Sequence, residues 1–133
     1  MVAITVVVVG LLGIFSLLSQ SISLNRIVSD RYVASYLAAE GIEIIKNLID
    51  NNALAGRSWN SGLSDGQYQF DYTATVLPLD CGNSCDQVFY WEAGRKIYNL
   101  TPTGQKTNYN RRVAITPLAD AGGFVQAIKV NSI

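Results

Sequence analysis

The first 25 residues carry no charged side chain, and residues 1–18, MVAITVVVVGLLGIFSLL, are apolar apart from Thr5 and Ser16. That is the signal of a membrane span. A helix over residues 1–25, rising about 1.5 Å per residue, is roughly 37 Å long against a hydrocarbon core of about 30 Å. A secretory signal peptide is the competing reading, but the run lacks a basic leader, and Ser19-Gln20-Ser21 leads into more helical pattern. The β-branched stretch at 4–9 is a mediocre helix former in water, whereas a bilayer requires every backbone group to pair internally and so favours helix. Ala3, Gly10, Gly13 and Ser16 are small, the last three spaced by three, so one side of the helix can let another helix approach. A glycine-tolerant membrane helix is the alternative.

The apolar period outlasts the uncharged segment. Ile27, Val28, Val33, Leu37, Ala38, Gly41, Ile42, Ile45, Leu48 and Ile49 recur at three- and four-residue steps. No proline precedes Pro78, and the first strong breakers are Asp50-Asn51-Asn52 and Gly56. One helix from about residue 2 to about 54 is expected, roughly 75 to 80 Å long. Its 1–25 part is lipophilic and its 26–54 part amphipathic, with Asp30, Arg31, Glu40, Glu43 and Lys46 on a solvated face beside the stripe.

Residues 55–66, AGRSWNSGLSDG, supply turns. Residues 67–77 then alternate, with Tyr68, Phe70, Tyr72, Ala74 and Val76 on one face, and read as the clearest strand. Residues 88–91 and 96–100 flank Glu92-Ala93-Gly94-Arg95 as a hairpin, and 111–116 and 124–130 supply two more strands. The fold class is therefore α+β, with a head at 55–133 built on an antiparallel sheet of four or five strands. Its inner face needs a cover, and Val33, Leu37, Ile42, Ile45, Leu48 and Ile49 of the helix supply one. Alternation runs on through 127–133 without a turn or cap, leaving room for a further strand.

Length and composition narrow the chemistry. A chain of 133 residues holds about one domain, ten basic residues balance ten acidic ones, and there is no histidine. No basic footprint suggests nucleic acid, and the commonest general base and metal ligand are missing. Neither a catalytic set, a phosphate loop nor a cofactor is expected. Cys81 and Cys85 enclose Gly82-Asn83-Ser84, which favours a local disulfide and an oxidising compartment. Zinc would need two more ligands, and a redox pair is more often CxxC beside a helix start. Asp80, Asn83 and Asp86 offer oxygens to calcium but lack the spacing of a dedicated loop, so solvated turn residues are the simpler reading. Asn99-Leu100-Thr101 matches the glycosylation sequon, a short pattern that recurs by chance. Tyr68, Tyr72, Tyr90, Trp91, Tyr98 and Tyr109 are numerous enough for a binding face, although alternation buries about half of them.

A membrane-type helix that continues as the spine of a small antiparallel sheet with a late disulfide resembles the type IV pilin and pseudopilin superfamily. Residues 2–13, VAITVVVVGLLG, are similar to its hydrophobic segment, Tyr36-Leu37-Ala38-Ala39-Glu40-Gly41-Ile42-Glu43 to the helix of its minor-pilin branch, and Asn110-Arg111-Arg112-Val113-Ala114-Ile115 to a strand there. The resemblance implies a filament subunit held in the inner membrane before assembly and at the cell surface afterwards. Its partners would be identical copies and other minor pilins, packed through Ala3, Val6, Val7, Gly10, Leu11, Gly13, Ile14 and Leu17. Members of that superfamily are processed at a Gly followed by a Phe-Thr-Leu-Ile-Glu type motif, whose early Glu has no counterpart here, so the resemblance implies either that this motif lies directly upstream of residue 1, behind a basic leader, or that Met1 replaces that start. That leader would offset Arg26 and Arg31, which by themselves pull the carboxy side toward the cytoplasm, against the cysteines. The alternative from another class is a bitopic membrane protein whose extracytoplasmic head binds a ligand without polymerising.

Overall fold

The computed structural model describes residues 2–133. A single helix, α1, runs Val2–Leu54 and is followed by six strands: β1 Gly66–Tyr68, β2 Val88–Glu92, β3 Ile97–Asn99, β4 Gln105–Asn110, β5 Val113–Ala119 and β6 Val125–Ser132. The class is α+β, as expected. The strands form two antiparallel three-stranded sheets, ordered β1-β5-β6 and β3-β2-β4, in place of the single sheet of four or five expected from the sequence. The described residues divide into two compact units between Ser35 and Tyr36, inside α1, so the 26–54 stretch is shared between them.

The helix stops where its breakers predict. Gly56 adopts φ 67°, its N–H bonds to the Ala53 carbonyl and that of Arg57 to the Asn52 carbonyl, the paired bonds of a left-handed C-cap. Asn52, buried at the end of the stripe, donates to the carbonyls of Trp59 and Ser61 and so ties the helix end to the following turn.

The head's core lies between residues 36–54 of α1 and the first sheet. Ile44, Ile45 and Leu48 pack with Leu63, Tyr68, Phe70, Val113 and Ile115, and Ile49, Ile128 and Val130 lie against them. The register Tyr68↔Val113 and Ile115↔Val130 puts these side chains on one sheet face. Burying each large aliphatic side chain contributes about 1.5 to 3 kcal/mol. Leu37, Ile45 and Leu48 are buried and Ile49 and Val33 half-buried. Ile42 corrects the sequence reading: it is 48% exposed, and Ile44 takes the place assigned to it. The buried positions 37, 41, 44, 45, 48 and 52 form one stripe at helical spacing, and Ile42 falls on its outer side.

The strand read at 67–77 ends at Tyr68. Asp71 breaks it: Oδ1 accepts the Thr73 N–H and hydroxyl, Oδ2 accepts the Leu100 N–H, and its carbonyl accepts the Ala74 N–H in a turn. Tyr68 and Phe70 stay in the core, whereas Tyr72 and Val76 are exposed. The Gln69 side-chain amide exchanges two hydrogen bonds with the Gln87 backbone, where a ladder partner would stand. The β2–β3 hairpin forms as expected, Trp91 opposite Tyr98. Strand β4 is not among the strands expected from the sequence. Its bulge opposite β2 is held by Thr107, whose hydroxyl donates to the Phe89 carbonyl. Arg111 and Arg112 join the two sheets and belong to neither, so the strand read at 111–116 begins at Val113.

Arg111 is the largest fully buried side chain. Its Nη1 donates to the Leu37 carbonyl at 2.7 Å and to Glu40 Oε2 at 3.0 Å, and its Nη2 donates to the Phe70 carbonyl. The guanidinium stacks between Phe89 and Phe70, 5.0 and 5.5 Å from their ring centres. Burial lowers its pKa, opposed by the carboxylates of Glu40 and Asp71. Glu40 is thus half of an ion pair and not only part of a solvated face. Beside it, a Cβ on Gly41 would stand 2.8 Å from Ser132 Oγ and 3.1 Å from Val113 Cγ2, so glycine is what lets helix and sheet approach here.

Candidate functional site: the uncovered amino-terminal helix

Fourteen large apolar residues lie between Val2 and Leu24, and all are exposed; Val8, the least open, is still 48% accessible. Monomeric soluble proteins rarely expose apolar patches of more than a few hundred Å², and larger ones mark membrane or partner contacts. The stretch is long and apolar enough to cross a membrane. A helix of this kind anchors a chain in a bilayer or serves as a signal sequence. Its early hydroxyl suits an apolar solvent: Thr5 Oγ1 donates to the Val2 carbonyl at 2.7 Å, so that hydroxyl is paired within the helix.

The residues expected to meet other helices, Ala3, Val6, Val7, Gly10, Leu11, Gly13, Ile14 and Leu17, are all uncovered. A Cβ placed on Gly10 or Gly13 would meet nothing within 4 Å. At these two positions the helix surface is shallow and open.

The head presents its own features. Cys81 and Cys85 form a disulfide with their Cα atoms 5.3 Å apart. Its loop is docked on β1: the Cys81 N–H donates to the Gln67 carbonyl at 2.8 Å, and Asp80 Oδ1 accepts the N–H groups of Gln67 and Gly82. Those two backbone bonds lower the pKa of Asp80, a structural task for a residue considered as a calcium ligand. Among the described residues no three His, Cys, Asp or Glu side chains gather in metal-binding geometry.

Asn99 of the sequon is buried, 6% exposed, and its Nδ2 donates to Glu92 Oε2. Trp91, Tyr98 and Tyr109 form a half-buried aromatic row, with ring centres 4.8 and 5.8 Å apart. A polar cleft of about 280 Å³ lies between the Asp71–Thr73 turn and Glu92, Arg95 and Thr101. Asp71 there is partly desolvated, which raises its pKa, but hydrogen bonds from Thr73 and Leu100 and the Arg111 charge outweigh this and hold it below the usual range.

Comparison of the chain with protein-family models, with curated proteins and with solved structures finds no match.

Proposed function

We propose that this chain is a structural subunit of a type IV pilin-like filament, stored in a membrane through residues 2–25 and polymerised through the same surface. The observation that carries the reading is that one helix, α1, supplies both a wholly uncovered apolar segment and the core of a small β head. A domain that needed only an anchor could attach it by a linker. Here the lipophilic stretch and the helical residues of the head's core belong to one continuous helix. The α+β layout of one long helix and small antiparallel sheets is compatible with a pilin.

In this reading the apolar helix leaves lipid and packs with the same helix of neighbouring copies, with Gly10 and Gly13 admitting close approach. The contact is head to tail and does not close, so it propagates as a helix of subunits. The subunit would sit in the inner membrane before assembly and on the cell surface afterwards, with other minor pilins as further partners. The reading assigns no catalytic residue and no cofactor.

A second reading, a membrane-anchored extracytoplasmic binding domain, is favoured by the aromatic row Trp91–Tyr98–Tyr109. Electron microscopy of material sheared from cells producing the full-length gene separates the two, with intact-mass measurement of the subunit. Filaments containing this chain with its disulfide oxidised are the expected result. Chain recovered only as discrete particles in detergent would overturn the filament and leave the anchored domain.

A further inference from the structure

We infer that the open edge of β6 pairs with the β6 of a second copy, antiparallel and in one register, so that two heads share a continuous sheet. Arg112 and Ile133 exchange both of their backbone hydrogen bonds. Bonded and non-bonded pairs alternate along an antiparallel ladder, so the pairs that Asn131, Lys129 and Ala127 make with β5 are bonded, and those of Ser132, Val130 and Ile128 are not. Pro117, which has no N–H to donate, stands opposite Ile128, as a non-bonded position allows. Since β6 is the last strand of its sheet, the N–H and C=O groups of Ile128, Val130 and Ser132 all point to the open edge.

The other edges are defended. On β1 the N–H and C=O of Gln67 are taken by Asp80 and Cys81 of the disulfide loop. Strand β3 has three residues, and β4 is bulged. Short, bulged or charged edges are the usual protection against strand addition. Strand β6 runs eight residues with one charge and no proline, and its register shifts only at the start, opposite Ala119.

A second copy fits because this edge is complementary to itself. With Val130 opposite the partner's Val130, Ile128 meets the partner's Ser132 and Ser132 meets the partner's Ile128, so every outward N–H and C=O of the three residues is bonded. Lys129 then faces the partner's Asn131 and not another cation. A slip one way sets Lys129 against the partner's Lys129, which is destabilising, and a slip the other way carries Ile128 past the end of β6. The inner faces join as well: Ile128 and Val130 lie half-buried against the head's core, and the same residues of the second copy extend their row. The two-fold axis stands perpendicular to the sheet, so residues 36–54 of the two copies run in opposite directions. Such a contact is isologous and closes on itself, unlike the head-to-tail contact of a filament, and neither depends on the other.

The test uses the full chain in lipid nanodiscs loaded with one chain each. Contacts through the apolar part of α1 cannot form between separate discs, so failure here and failure of the filament are told apart. Analytical ultracentrifugation should show discs joining in pairs as their concentration rises. Asn131→Asp, which faces Lys129 across the pair, should tighten the association roughly two- to thirtyfold through two opposite-charge contacts. Val130→Pro removes an outward N–H and none of the β5–β6 bonds, so it should leave a folded head on discs that stay single. Parent discs that stay single up to about 1 mM overturn the inference. Pairs that survive Val130→Pro, or that Asn131→Asp does not tighten, overturn it too. If Val130→Pro does not fold, the Asn131→Asp comparison decides alone.

Discussion

At the residue scale, two glycines owe their place to different obstacles. On Gly41 a Cβ would press on the Ser132 hydroxyl, a Val113 methyl and the stem of Arg111, of which the first two can shift by tenths of an ångström. Overpacking of that kind costs about 1 to 3 kcal/mol. On Gly104 a Cβ would fall onto the Trp91 carbonyl, a backbone group of the β2–β4 pair that cannot move without opening the ladder. Urea melts should therefore rank Gly104→Ala as clearly more damaging than Gly41→Ala, and the reverse order would show that α1 approaches the sheet more rigidly than the strands approach one another. Asp71 sets a pH dependence. Its folded pKa lies below its ordinary value, so its contribution is present above about pH 4 and is lost as pH falls through the lowered value, the unfolded chain binding the proton first. Thermal melts of Asp71→Asn should be lower than the parent's at neutral pH and fall less steeply below pH 4; a parallel acid limb would remove Asp71 from that role.

At the scale of elements, the Cys81–Cys85 bridge and the uncovered helix each make a prediction. The bridge closes a short loop, sequence separation 4, for which loop entropy gives about 2 kcal/mol. Cys81→Ser with Cys85→Ser should lower stability by that amount while leaving the core spectrum intact, because the loop is also held on β1 by Cys81 and Asp80 bonds. Gly10→Leu or Gly13→Leu should leave the head's melt unchanged and reduce sheared filaments several-fold; undiminished filaments would mean that helices do not approach there.

The helix, its C-cap and the β2–β3 hairpin were legible in the sequence because each rests on neighbours within a few residues. Alternation over residues 67–77 does not reveal that the strand ends at Tyr68, because it is blind to Asp71 binding Leu100, 29 positions away. The Glu40–Arg111 pair spans 71 positions, and nothing local distinguishes Glu40 from Glu43. Ile42 could have been placed correctly from the 37, 41, 45, 48, 52 spacing, had Gly41 and Asn52 counted as members of the buried face. The division into two sheets had no local signal, since β4, QKTNYN, carries little of the apolar alternation that marks a half-buried strand.

At the scale of the whole molecule, the hydrophobic load is divided by position along α1. A chain beginning at residue 29 loses the wholly uncharged stretch and keeps Leu37, Glu40, Ile44, Ile45 and Leu48; it should dissolve without detergent and melt cooperatively. A chain beginning at residue 55 keeps every strand but lacks the helix that completes the core, and gel filtration with circular dichroism should find it aggregated or unfolded. Equal behaviour of the two would mean that the sheets close on themselves. For most anchored proteins, a protease that severs the tether sheds an intact domain. In the proposed membrane-held subunit, residues 37–48 of the same helix contribute to the head's core, so a cut before Leu37 should release a folded fragment and a cut a few turns later one open to further digestion.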